Sequence, residues 1–189
     1  MGGCSDLVPF VCLTSINFEA TIDVVEVKTK RLTLRAFADF DYDTLVVLMT
    51  DPEVMKFTGF KTPQTPERIR ELLEKWKSEG IGPLGVWAAE ERDSGEVIGW
   101  CMLKTTRTET PELGYMIVKT QWGKGYASEI AKSLVQYAEK ILKLPRIVAV
   151  TSPDNVPSMR VLEKAGMTII HAETKDDSVW YERIFKLLN

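Results

Sequence analysis

Two glycines one residue apart, set directly before a helical pattern, mark the part of this 189-residue chain best suited to chemistry. Gln121-Trp122-Gly123-Lys124-Gly125-Tyr126-Ala127 leads into Ile130, Leu134, Val135 and Ala138, apolar residues at helical spacing. The first N–H groups of a helix have no partner inside it, and the positive end of its dipole faces the same way, so an anion belongs there. Gly123 and Gly125 lack a Cβ, so their backbone can come close to a bulky pyrophosphate and take positive φ angles. Lys124 offers a further charge, or is a plain solvated lysine. Upstream, Leu113 to Val118 is apolar enough for a strand and is flanked by Glu112, with Tyr115 inside it. A carboxylate can bind an ammonium group or take its proton, and a phenol of pKa about 10 can give one. Both also read as ordinary strand residues.

Three nucleotide-binding motifs compete for the loop. A P-loop needs Ser or Thr after its lysine, and Lys124 is followed by Gly125. A dinucleotide fingerprint starting at Gly123 has Ser128 in place of its last glycine and lacks the acidic residue that should end a second strand. The third motif is the Q/R-x-x-G-x-G/A loop of the GNAT acyltransferases, which Gln121-Trp122-Gly123-Lys124-Gly125 resembles. Its context agrees: the strand with Glu112 and Tyr115 precedes it, and Asn155-Val156-Pro157-Ser158-Met159-Arg160-Val161-Leu162-Glu163-Lys164-Ala165-Gly166-Met167 follows. Over roughly residues 28 to 188 the chain resembles the GNAT superfamily, and within it the RimJ/RimL-like ribosomal-protein N-terminal acetyltransferases.

The resemblance implies an α/β acyl-CoA N-acyltransferase fold, with a mixed central sheet of about six or seven strands and flanking helices. It implies acetyl-CoA as co-substrate and direct transfer to a primary amine in a ternary complex, without metal or covalent intermediate. Backbone amides of Gly123, Lys124, Gly125, Tyr126 and Ala127 would receive the pyrophosphate of coenzyme A. Met116, Ile117 and Val118 would offer backbone groups to the pantetheine arm, one amide polarising the thioester carbonyl; as side chains Met116 and Val118 also read as core. Asn155 would hydrogen-bond the pantetheine, and asparagine is equally a good helix N-cap. Ser158 falls where such enzymes place a serine near the departing thiolate. A hydroxyl is a far weaker acid than a thiol of pKa about 8.5, so a hydrogen bond from Ser158 is easier than proton transfer. Tyr115 is the better-matched acid. Glu112 is the candidate base, acting through water or by binding the cation, with Glu109 in reserve. The implied acceptor is a protein N-terminal amine. A small amine (polyamine, amino acid or antibiotic) and a non-catalytic acyl-CoA-binding module are the alternatives, and the branch contains both monomers and homodimers.

These residues need a core to hold them. The chain can bury one sizeable core, so one domain is expected over residues 28–189, with 1–27 an N-terminal extension, flexible or loosely docked. The hydrophobic and charged shares, 44% and 27%, are those of a globular protein, and a net charge of -3 gives no pull toward nucleic-acid phosphates. Cys4, Cys12 and Cys101 are odd in number and lack metal-ligand spacing, which fits a reducing, cytoplasmic setting without a metal site. His171 is the only histidine, and it reads as a strand or surface residue. No run approaches the roughly 20 apolar residues of a membrane helix. The extension lacks a basic leader region, and Asp6 stands where a myristoylation signal wants Ser or Thr.

Ile22–Val27 reads as a possible short strand, and strands are expected at Arg31–Arg35, Gly85–Glu90, Glu96–Leu103, Glu112–Val118, Arg146–Thr151, Met167–Ala172 and Val179–Leu187. Asp39, Asp51 and Thr65 are candidate caps for early helices, the last carrying Ile69, Leu72, Leu73 and Trp76 inward and ending at Gly80. The segment from Glu173 to Ser178 is expected to be a turn. A later helix from Val156 to Lys164, with Asp154 and Asn155 as candidate caps, should stop at Gly166.

Overall fold

Leu32 and Leu34 are fully covered while Thr33 and Arg35 beside them are partly exposed, as a strand with one face on a core requires. In the computed structural model, which describes residues 26–79, 82–173 and 178–184, this strand is β2 (Leu32–Arg35), lying between β1 (Val27–Lys28) and β3 (Gly85–Glu91). Five more strands follow: β4 (Val97–Lys104), β5 (Glu112–Ile117), β6 (Arg146–Thr151), β7 (Thr168–Glu173) and β8 (Ser178–Ile184). They form one sheet in the order β1-β2-β3-β4-β5-β6-β8-β7. The α/β expectation holds, with eight strands where six or seven were expected, because the two-residue β1 pairs with β2 through Val27↔Leu34 and Lys28↔Thr33. All described pairs are antiparallel except β5 with β6. The Asp93-Ser94-Gly95 turn joins β3 to β4, with Gly95 at φ 73°.

Among the described residues five α-helices cover the sheet: α1 (Tyr42–Thr50), α2 (Pro52–Met55), α3 (Pro66–Glu79), α4 (Tyr126–Gln136) and α5 (Val156–Lys164). Ile69, Leu72, Leu73 and Trp76 form the buried stripe of α3, as their spacing predicts. Trp76 packs between Phe37 and Trp100 of β4, with ring centres 5.0 and 5.4 Å away, which puts α3 on the sheet face that carries Trp100. Trp87 of β3 meets Tyr137, just beyond α4, edge to face at 6.1 Å on the other side. Among the described residues no helix is long and apolar enough to cross a membrane.

The early caps divide. Asp51 accepts from the Glu53 N–H at 2.8 Å and Thr65 from the Arg68 N–H at 3.3 Å. Asp39 does not cap a helix: Asp39–Asp41 is a single 3₁₀ turn, and the exposed Asp39 pairs with Lys77 instead. The consequential residue is Asp41. Its fully buried carboxylate takes both Nη atoms of Arg35 at 2.9 Å and the Ala38 N–H at 2.8 Å. Arg35 also reaches Glu90 on β3, so one guanidinium ties β2, β3 and the approach to α1 together. The hydrogen bond to Asp41 is the largest of the effects that raise the Arg35 pKa above its ordinary value.

Gly99 on β4 is needed for closeness. A Cβ there would stand 2.9 Å from the Cα of Ile117 and run into the Met116 carbonyl, so only glycine lets β4 and the end of β5 approach this far. The extension and most of Ile22–Val27 lie outside the described residues, as do Gly80, residues 174–177 of the expected turn, and the end of the last strand.

Candidate active site

The parallel pair β5 and β6 is joined only at its start. Glu112 is opposite Val148, and the Val148 N–H donates to the Pro111 carbonyl at 3.0 Å. Beyond that point no partner pairs are formed, and a gap opens between Leu113–Val118 and Ala149–Thr151. Which backbone groups face it follows from alternation along β5. The Val118 N–H donates to Ile98 on β4 at 2.9 Å, and the Met116 carbonyl lies against Gly99. Residues 116 and 118 therefore turn their backbone groups to β4, while 115 and 117 turn theirs to the gap. This corrects the expectation for Met116 and Val118, both buried: of the three, Ile117 presents backbone to the gap, and Tyr115 joins it.

The glycine loop lies at the wide end of this gap. Gly123 and Gly125 adopt φ 76° and 84°, the second immediately before α4. A Cβ on Gly123 would touch nothing within 4 Å, so conformation and not crowding demands glycine there. Tyr126, Ala127 and Ser128 are the first three residues of α4, whose N–H groups have no intrahelical partner. Lys124 turns to Gln121, its Nζ donating to Oε1 at 2.7 Å, and the Tyr126 side chain is buried, so the loop's offer to an anion is its backbone. The sequence pattern is also one residue shorter than the family's: Gln121 stands two positions before Gly123, and Thr120 occupies the third. Trp122, missed in the sequence, fills the difference. Its indole N–H donates to the gap-facing Ile117 carbonyl at 2.8 Å, fixing the loop to the strand.

Tyr115 and Ser158 meet across the gap. Their hydroxyl oxygens are 2.9 Å apart although the residues are 43 positions apart in the chain. Asn155 caps α5, its Oδ1 accepting from the Ser158 N–H at 3.3 Å, which holds Ser158 in place and leaves the Asn155 amide N–H groups directed elsewhere. Burial pushes the Tyr115 pKa up to about 12, partly offset by the hydrogen bond with Ser158. A full proton transfer from this phenol to a thiolate of pKa about 8.5 would then run uphill by roughly three orders of magnitude. With one hydroxyl donating to the other, the pair keeps one O–H free to donate. That changes the role expected of Tyr115, which in the sequence alone looked like the better-matched acid. Cys101, opposite Tyr115 on β4, is fully buried, and burial raises its thiol pKa, so it is kept protonated and shielded.

Glu112 occupies the other face. Met116 is opposite Trp100, which packs on α3, so residues 112, 114 and 116 share the α3 face while Tyr115 lies on the α5 side. The Glu112 carboxylate is buried, accepts from the Thr106 hydroxyl, and lies 4.0 Å from Nε of Arg107. Nη2 of Arg107 is 3.8 Å from where a Cβ of Gly59 would stand, so the loops after α2 and β4 meet over the carboxylate. Thr106 and Arg107 gave no sequence signal, since exposed Thr and Arg are common in turns. Glu109 lies in the same β4–β5 loop and is exposed. Amides facing an anion site, a gap with backbone groups along one wall, and hydroxyls at its depth fit a long phosphate-ended chain lying in the gap between β5 and β6.

Comparison with known proteins gives the same direction. Residues 31–168 match the model of an acetyltransferase (GNAT) domain. YkkB of Bacillus subtilis is 34% identical over 145 residues, covering 74% of this chain and 83% of its own. The N-acetyltransferase p20 of Bacillus licheniformis is 32% identical, covering 71% and 77%. Among solved structures, a GNAT-family acetyltransferase from Bacillus anthracis superposes with a TM-score of 0.75 at 26% identity, covering 85% of this chain and 98% of that one. Two structures share the fold at lower identity. Spermidine N-acetyltransferase from Vibrio cholerae, in complex with CoA and spermine, has a TM-score of 0.69 at 19% identity, covering 82% and 95%. RimL, a ribosomal L7/L12 α-N-protein acetyltransferase in complex with coenzyme A, has a TM-score of 0.69 at 17% identity, covering 85% and 98%.

Proposed function

Since this chain belongs to the GNAT acetyltransferase family and is an N-acetyltransferase, we propose that it moves an acetyl group from acetyl-CoA to a protein N-terminal α-amine. The observation that carries the transfer chemistry is the 2.9 Å approach of Tyr115 and Ser158 across the β5–β6 gap, on the strand that leads into the glycine loop. Acetyl-CoA supplies the acyl thioester; the loop amides from Gly123 to Ala127 hold its pyrophosphate, Tyr115 and Ile117 offer backbone to the pantetheine, and the Asn155 amide adds a donor. Glu112, on the α3 face, binds the ammonium of the acceptor and takes its proton through water, leaving a neutral amine to form the C–N bond. Tyr115 and Ser158, hydrogen-bonded to each other, donate their remaining O–H to the sulfur as its bond to the acyl carbon breaks, and the second proton, shed by the nitrogen as the amide forms, reaches the thiolate through solvent.

The mouth on the Glu112 side favours a peptide over a polyamine. Arg107 lies 4.0 Å from the Glu112 carboxylate and reaches across to Gly59, so a cation already borders the buried carboxylate on this face. A polycationic acceptor would meet like charge there, whereas a peptide presents one ammonium beside neutral or acidic groups. The test is thiol release from acetyl-CoA with a panel of peptides of different N-termini, spermidine and an aminoglycoside. Peptide-dependent release supports the proposal; release with spermidine or the aminoglycoside alone overturns the choice of acceptor. With the accepted amine, Glu112→Gln is expected to lower kcat/KM about 100-fold while CoA binds as before. Unchanged turnover at every pH would remove Glu112 from the mechanism.

A further inference from the structure

Behind the glycine loop, on the side away from the gap, lies a group of side chains that the chemistry above leaves unused. Arg31, just before β2, spreads over the first turn of α4: its Nη1 donates to the Lys124 carbonyl at 3.0 Å, and its Nε to Oε2 of Glu129 at 2.7 Å. The Arg31 backbone N–H donates to Oε1 of the same glutamate at 2.7 Å, and the Thr29 hydroxyl to that oxygen at 2.5 Å. The guanidinium stacks on the Tyr126 ring, 4.1 Å from its centre, and the Tyr126 hydroxyl donates to Glu91 on β3. Residues 124, 126 and 129 are thereby fastened to the β1–β3 side of the sheet.

We propose that Arg31 and Glu129 are positioning residues for the phosphate site: they clamp the loop from behind so that its N–H groups converge on the pyrophosphate. This rests on the reading of the loop as the CoA pyrophosphate site. The physical need is clear. Two glycines at positive φ leave the loop many alternatives, and amides bind an anion well only when they are already aimed at it. An ion pair does this at little cost in field, because the Glu129 charge offsets that of Arg31 at the same place. The Lys124 carbonyl, drawn back by Nη1, is also kept from turning its negative end toward the phosphates.

A direct phosphate contact by Arg31 would give the opposite sign in one variant. Removing the Glu129 charge would free the guanidinium and strengthen CoA binding, whereas loss of a clamp weakens it. The experiment is calorimetric titration of the full chain with CoA and with pantetheine, which lacks the nucleotide and its phosphates, for the wild type, Arg31→Lys and Glu129→Gln. The expected result is a CoA Kd raised about tenfold in each variant, equivalent to 1.4 kcal/mol, with pantetheine binding held and hydrogen exchange faster at the amides of residues 123–128. Glu129→Gln binding CoA as tightly as wild type or more tightly overturns the clamp, as does an equal loss for pantetheine. A folded wild type that binds no CoA overturns the cofactor site itself, a failure distinct from that of the variants.

Discussion

Replacing Tyr115 by phenylalanine is expected to lower kcat about 100-fold, the usual cost of removing one donor aimed at charge that develops in the transition state. The ring stays, so packing on β5 is kept, and CoA affinity should change little because the backbone of residue 115, not its hydroxyl, lines the gap. Ser158→Ala should have a smaller effect, since Tyr115 then remains as donor. The pH profile checks the assignment. Burial puts the Tyr115 pKa at about 12, so the hydroxyl keeps its proton through pH 10. Turnover should show no falling alkaline limb there from this residue, whereas an unburied tyrosine would already be half ionised at about pH 10. The same shift carries a stability term with a definite sign. A pKa raised on folding favours the native state below the unfolded value of about 10, and this contribution is lost as pH rises from there through about 12. A kcat within threefold of wild type in Tyr115→Phe, about 0.6 kcal/mol in the barrier, would place the sulfur elsewhere.

The largest expected effect on stability is at Asp41. Its carboxylate is wholly buried and is held in a two-point pair with Arg35, whose side chain is only 14% exposed. Asp41→Ala leaves that guanidinium buried with Glu90 as its remaining acidic partner and the Ala38 N–H without its acceptor. Breaking a buried pair from one side costs about 3–5 kcal/mol, and at this chain length each kcal/mol lowers Tm by about 2–4 °C. Chemical denaturation should show a midpoint shift of that size with an unchanged slope. Asp39→Ala is the control: Asp39 is exposed and its partner Lys77 is at the surface, where such pairs contribute little, so the midpoint should hardly move. Equal losses for the two variants would mean that the Arg35 pair does not hold the approach to α1.

What the sequence made legible, and what it did not, follows from the range of the interactions. The glycine loop, the buried stripe of α3 and the Asp93-Ser94-Gly95 turn are local patterns, set by backbone freedom and periodicity within a few residues, and the structure places each where the pattern did. Tyr115 and Ser158 were each readable as candidates, but their meeting depends on β5 and β6 parting after a single pair. Strand divergence leaves no periodic trace. Assigning Met116 and Val118 to the gap failed for a related reason: which edge a backbone group faces is fixed by register with β4, and a shift of one residue reverses it. Asp39 fails as the cap because the chain first makes a 3₁₀ turn at Asp39–Asp41, and the carboxylates there go to Lys77 and, six residues back, to Arg35 instead of to the first N–H groups of α1. Arg31 and Glu129 are 98 positions apart and carry no motif, so their pairing appears only once α4 lies against the β1–β2 edge.

The most direct test of the donor site is a titration of ¹⁵N-labelled protein with CoA, followed amide by amide. The account predicts shifts concentrated at Tyr115, Ile117 and Gly123 to Ala127, with smaller ones at Asn155 and Ser158, and none at the β1–β2 edge beyond Arg31. Shifts confined to other surfaces, or CoA binding that leaves the amides of Gly123 and Gly125 unmoved, would contradict it.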